Sequence, residues 1–457
     1  MCALILLCLL SAWITPAAGL AQDREVGLTV YSNNLGLVRE VRTLDLAKGR
    51  TTATLAGVPA QIDPTSVRVR SLAAPDRVAV LEQRFTYDLI NPEILLSKYI
   101  DRDVEVEVEG SGTPVRGRLL GLGGDLTLMR ENGSIDLIRR DAVRRVSLPG
   151  LPGGLVTRPA LAWLVENTGT AGPQRIEVSY LTGGMSWHAE YTAVVSAQET
   201  ELTLSGWASI DNRSGATYEN AALTLVAGDV NRAEPERLPA RMARTMGRVL
   251  AGEEIAQQFD EQPLFEYHAY TLDRRARVGD NETVQLALLA DTKVRAKKQY
   301  IYDGARMPTA VQTRFEFENS QRAGLGLPLP RGKVRVYQEG ATGSRQFLGE
   351  DGLKDLAKDE TARVTVGTAF DLAGERKQTT VRQVSDRSRE ESLDIVLRNH
   401  TANPVTITVV EHLGRNDWYI RQSSQEYRKR DAWTIEFDVP VPKDGEARVG
   451  YTVVYRW

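Results

Sequence analysis

The sequence predicts an all-β chain: antiparallel β-sandwich modules of immunoglobulin-like type, a small SH3-like barrel insertion and few short helices. Three observations carry this. From Leu161 to Arg232 apolar and polar residues alternate, break at Asn, Gly and Pro, and alternate again, with no helical period. A strand ending in Asn, a polar turn and a return strand then recur at Asn167, Asn212, Asn319 and Asn399. These intervals are unequal, which argues against a solenoid or propeller and for sandwiches in series. Third, Val104 to Glu109 alternates strictly, and short strands joined by Gly-rich or Asn-Gly turns follow within a segment the size of a small barrel.

In chain order, residues 1–21 read as a signal peptide. Ala3 to Ile14 is apolar but too short to span a bilayer, and Gly19-Leu20-Ala21 places cleavage near Ala21. Both cysteines, Cys2 and Cys8, fall inside it, so the mature chain has none. A chain of this length without a disulfide fits a bacterial periplasm, so the expected location is periplasmic or secreted. No later stretch is apolar enough for a membrane helix, and no transmembrane segment is expected after cleavage.

Residues 22–92 read as an N-terminal β region belonging to the sandwich. Asn33-Asn34 forms a turn there that tolerates positive φ, and a strand restarts after Ile62-Asp63-Pro64. Residues 93–148 hold the barrel insertion, opened by a short helix that Asn91 caps and Pro92 starts. The sandwich core follows over 149–232. Residues 233–262 are rich in Arg and Glu and poor in aromatics, and read as a mobile or partly helical linker. The C-terminal sandwich takes 263–457, with a polar turn region at Asp351–Glu360.

Several phrases, taken together and in this order, resemble the bacterial DUF4139 family: VYSNNLGLVRE, SYLTGGMSWHAEY, YENAALTLVAGDVNR, FEYHAYTL, DNETVQLALL and AFDLAGERKQT. That family comprises uncharacterised, mostly exported proteins loosely related to the mucoidy-inhibitor type. The resemblance implies an all-β exported protein and transfers no catalytic residues.

Chemistry is hard to find in the residues themselves. Lys+Arg at 57 nearly balances Asp+Glu at 60, which leaves no electrostatic footprint for nucleic acid. His-Glu-x-x-His, Gly-x-Ser-x-Gly and a phosphate-binding glycine loop are all missing. Ser186, after Gly183-Gly184, reads as part of a glycine turn before a core Trp. Asp211, Glu219 and Asp229 are acidic residues that a glycosidase pair would need at a defined separation. The four histidines are His188, His268, His400 and His412. Strand alternation puts His188 with Glu190, and Glu266 with His268, on shared faces. The candidate ligand-binding residues are therefore Trp187, His188, Glu266 and His268, with no catalytic set, no metal site and no cofactor expected. The expected function is an exported, non-enzymatic envelope protein that presents loops and edge strands to another envelope protein or a surface polymer. The alternative is a carbohydrate-binding or carbohydrate-processing protein, resting on Trp163, Trp187 and Trp207 as stacking faces.

Overall fold

The computed structural model describes residues 24–86, 92–150, 158–231, 259–264, 266–340 and 344–457. The segment expected to be a signal peptide, the expected Asn91 cap and the helix expected within 242–258 lie outside the described residues.

The chain is nearly all strand. A seven-stranded sheet runs in the order Phe259–Leu264, Tyr267–Val278, Tyr218–Ala227, Glu25–Tyr31, Leu35–Leu46, Gly172–Thr182 and Arg68–Ser71. The hairpin joining Glu25–Tyr31 to Leu35–Leu46 turns at Asn34 with φ 54°, as the Asn-Asn pair predicts. A three-stranded sheet orders Gly49–Ala56, Ala160–Asn167 and Val78–Thr86. The last two of these strands pair with each other, and the insertion hangs between them. It begins with the helix Pro92–Ser97 and forms a five-stranded sheet of Asp103–Val108, Val115–Leu122, Leu126–Met129, Ile135–Ile138 and Val143–Ser147. Its own core holds Tyr99, Val104, Val106, Leu119 and Leu128. The pairing path of this unit is open rather than closed into a barrel: its first and last strands in the order, Val143–Ser147 and Ile135–Ile138, do not pair.

A thirteen-stranded network completes the fold. Two unusually long strands run through it, Glu282–Tyr302 and Thr361–Ser385. The first half of Glu282–Tyr302 pairs Glu201–Asn212 and supplies Leu286, Leu288 and Val294 to one core. Its far end pairs Ala310–Glu318 and Val405–His412 and delivers Tyr302 to a second. Thr361–Ser385 likewise gives Ala362 and Val364 to the first core and Leu372 to the second. The cores therefore meet along continuous strands and do not divide at residue 263.

Four details differ from the sequence reading. The strand expected from Ile62 starts at Arg68, because Asp63 caps a 3-10 turn over Pro64–Ser66, accepting from Thr65 N at 3.0 Å. Phe259–Leu264 is an edge strand, so the end of the expected linker belongs to a sheet. The turn at Asp351 begins later, since Arg345–Leu353 is strand. Among the described residues three junctions are parallel, not antiparallel: Glu25–Tyr31 with Tyr218–Ala227, Met185–Val195 with Gly332–Glu339, and the far end of Glu282–Tyr302 with Val405–His412. Each joins strands distant in sequence, where hairpin grammar gives no information.

The recurring asparagines have a single physical role. Asn167, Asn212, Asn319 and Asn399 are each fully buried. Every one donates from Nδ2 to a carbonyl of its own following turn: Thr170 at 3.0 Å, Ala216 at 2.9 Å, Leu327 at 2.8 Å and Asn403 at 2.9 Å. The other Nδ2 proton reaches a connection elsewhere in the fold: Ala47 at 3.2 Å, Gly279 at 3.0 Å, Ala357 at 2.9 Å and Pro442 at 2.9 Å. Oδ1 accepts a turn N–H from Gly169, Ser214, Gly326 or Thr401. A primary amide is a side chain that offers two donors and an acceptor at one point, so Asn satisfies two loops at once. The return strand after each Asn does not pair with the strand before it. The turn is an arch to another layer, locked by that amide.

Candidate functional site

Trp187 and His188 sit on the Met185–Val195 strand and point to opposite faces. Trp187 is 2% exposed, donates Nε1–H to Val226 O at 2.9 Å, and meets Tyr270 edge-on at 6.0 Å between ring centres. It is a core residue. His188 faces out and hydrogen-bonds Glu190 at 3.1 Å, and Glu190 also pairs with Arg335. The hydrogen bond from His188, then the Arg335 charge, hold the Glu190 carboxyl below its ordinary pKa. The void beside Trp187 and His188 is about 10 Å³, no more than a single water needs.

Glu266 and His268 do not form the expected pair. Glu266 is exposed just ahead of the Tyr267–Val278 strand, while His268 Nδ1 meets Glu261 Oε1 at 2.8 Å across the edge hairpin. Glu261, within the part of the Phe259–Leu264 strand that the sequence reading assigned to the linker, supplies that partner. Thus the sequence-picked residues fall into separate places: a core Trp, two surface His–Glu pairs and a lone Glu266. Trp163 is also buried, donating to Gln83 at 2.8 Å, so neither it nor Trp187 offers a ring face for stacking. The acidic residues are equally dispersed. Asp211 accepts from Thr283 at 2.6 Å, Glu219 pairs with Arg277 at 3.0 Å, and Asp229 pairs with Arg331. Among the described residues no three His, Cys, Asp or Glu side chains converge as a metal site would require.

A larger space lies in the part of the fold built on the second core, here the second body, as the part built on the first core is the first body. It is a cavity of about 340 Å³ lined by Ile301, Asp303, Arg306, Met307, Gln312, Arg314, Val410, His412 and Arg430. Its floor is one sheet face. Ile301 registers with Gln312, Gln299 with Arg314, and the parallel strand adds Val410 and His412. The opposite face of the same strands carries Tyr302, Val311, Ile407 and Val409 into the second core. Gly374 makes room there, since a Cβ at that position would stand 2.3 Å from the Tyr302 ring. His412 Nε2 meets Asp303 Oδ2 at 2.8 Å, with Asp303 contributed by the turn after Tyr302. Neighbouring Glu411 points inward, fully buried, where Arg376 holds it through two nitrogens and the Tyr451 hydroxyl donates to it. The sequence analysis names His412 among the histidines, and alternation along one strand has no means of finding Asp303. Alternation of Gln312 with Arg314, and of Val410 with His412, was the available signal.

The lining brings three guanidinium groups, a His–Asp pair and apolar side chains to one space, and so combines charge with shape. An all-β sandwich protein with a cation-lined cavity is the class these features define. Residues 176–457 match the domain of unknown function DUF4139, and the chain belongs to that family. A search of curated proteins finds no match. Among the described residues no helix is long and apolar enough to cross a membrane.

Proposed function

We propose that this chain is an exported, non-enzymatic scaffold of the bacterial cell envelope, acting in the periplasm or after secretion by holding another envelope protein. The observation that carries the interaction reading is Phe370, which is 100% exposed in the middle of the long Thr361–Ser385 strand. A rigid, extended backbone holding a bare aromatic ring is how binding surfaces present an anchor. Phe347 and Leu348 are also exposed, on the Arg345–Leu353 strand that crosses Thr361–Ser385 where Gly349 passes Val366. Export rests on the apolar run Ala3–Ile14 and the small residues through Ala21.

The test is a photo-crosslinking residue placed at position 370 in a tagged chain expressed with its own N-terminus. A reproducible envelope protein crosslinked there, and lost with Phe370→Ser, supports the reading. Recovery of uncrosslinked chain alone, or a cytoplasmic location of the full-length product, defeats it.

A further inference from the structure

The geometry points to a carboxylate-binding site in the cavity of the second body, built around Arg314 and selective for a single negative charge. Three guanidinium groups line the space, and two are already compensated. Arg306 faces Asp303 at 3.6 Å, and Arg430 shares Glu436, at 3.3 Å, with Arg428, which also faces Asp438 at 3.5 Å, so these two cations and two anions balance. Arg314 is not compensated. Its Nε is buried without a hydrogen-bond partner among the described residues.

The acids nearest in charge to Arg314 are committed elsewhere. Glu316 is taken by Arg363 at 2.9 Å, and Asp351 accepts the backbone N–H groups of Gly352 and Thr365. Burial, with Arg363 and Arg430 adding their charge, lowers the pKa of Arg314. A guanidinium desolvated beside other cations is costly unless an anion joins it.

The charge deficit sets the ligand. One uncompensated guanidinium calls for one negative charge, and its planar fork matches a carboxylate. With the other two guanidinium groups already paired, a second negative charge finds no free cation among the described residues of the lining, which disfavours a phosphate dianion. Ile301, Met307 and Val410 line the rest and suit a small branched aliphatic body. A free short-chain acid and the C-terminal residue of a peptide share this chemistry. This site does not depend on the scaffold reading, on export or on Phe370.

The experiment is calorimetric titration of the chain with isovalerate as the free acid and N-acetyl-leucine as the chain terminus. Isovaleramide and inorganic phosphate serve as the neutral and multiply charged comparisons. Both carboxylates bind, and Arg314→Met weakens them about tenfold or more. Isovaleramide and phosphate bind more weakly than either. The tighter of the two carboxylates identifies the source. Should Arg314→Met fail to fold, phenylglyoxal labelling of Arg314 in the unmodified chain, read by mass spectrometry, is slowed by the tighter probe. The assignment is overturned by no heat from either carboxylate, by equal binding to Arg314→Met, by phosphate binding more tightly, or by labelling that no probe slows.

Discussion

The two bodies are built from the same parts and differ in what they leave open. Each closes its arches with buried asparagines, and each buries a glutamate held by arginine and tyrosine. Glu40 is fully buried against Arg24, Arg42 and the Tyr180 hydroxyl, and Glu411 repeats this with Arg376 and Tyr451. Beyond the cores the likeness ends. In the first body the space beside the outward His188 is about 10 Å³, whereas beside His412 it is about 340 Å³. What recurs is architecture. What differs, the cation-lined cavity beside His412, is where a binding function has room.

The sharpest way to break this comparison is to remove the shared parts. Asn212→Ala and Asn399→Ala each strand a turn amide and two carbonyls, and each costs about 3 kcal/mol of stability. Urea unfolding measures this, and unequal losses would show that the two corners are not equivalent. Next come the tyrosines. Tyr180→Phe and Tyr451→Phe each remove a hydrogen bond to a buried carboxylate, worth about 2 kcal/mol by the same measurement.

Acid tests the buried glutamate of the first body. Burial alone would raise the Glu40 pKa, but the charges of Arg42 and Arg24, with hydrogen bonds from Arg24 and Tyr180, bring it below 4.5. On lowering the pH the unfolded chain takes up this proton first. The stabilisation is thus complete above that ordinary value and is lost as pH falls through the lower folded one. Glu40→Gln flattens the slope of stability against pH in that acidic window, as a melting series across it will register. The smallest effect belongs to Phe370→Ser, which changes stability by less than about 0.5 kcal/mol, since a fully exposed ring has no packing to lose. A large loss on melting would mean that the ring is packed rather than presented.

Local grammar was legible in the sequence. The turn at Asn34, the short strands Leu126–Met129 and Ile135–Ile138, and the four Asn-ended strands all follow from alternation and turn chemistry. The arches did not follow, because a polar turn between two strands reads the same whether the second strand pairs back or crosses to another layer. Nor did the parallel junctions, which depend on contacts between distant segments. The candidate site was illegible for the same reason. Asp303 meets His412 only because Tyr302 and Val409 are register partners, a fact of tertiary pairing. Trp187 and His188 were found as neighbours in sequence, yet alternation sends one to the core and the other to solvent.

The placement of Glu25–Tyr31 has a consequence for the order of assembly. This strand lies inside the seven-stranded sheet, and one whole side of it pairs with Tyr218–Ala227, Val26 opposite Ala221. The earliest described strand of the chain therefore keeps one edge bare until the segment around residue 221 has been made and brought alongside. Such distant closure makes folding slow and exposes an unpaired edge to other chains meanwhile. The N-terminal strand of the first body is thus completed by a segment nearly two hundred residues further along the chain, and not by its hairpin neighbour alone.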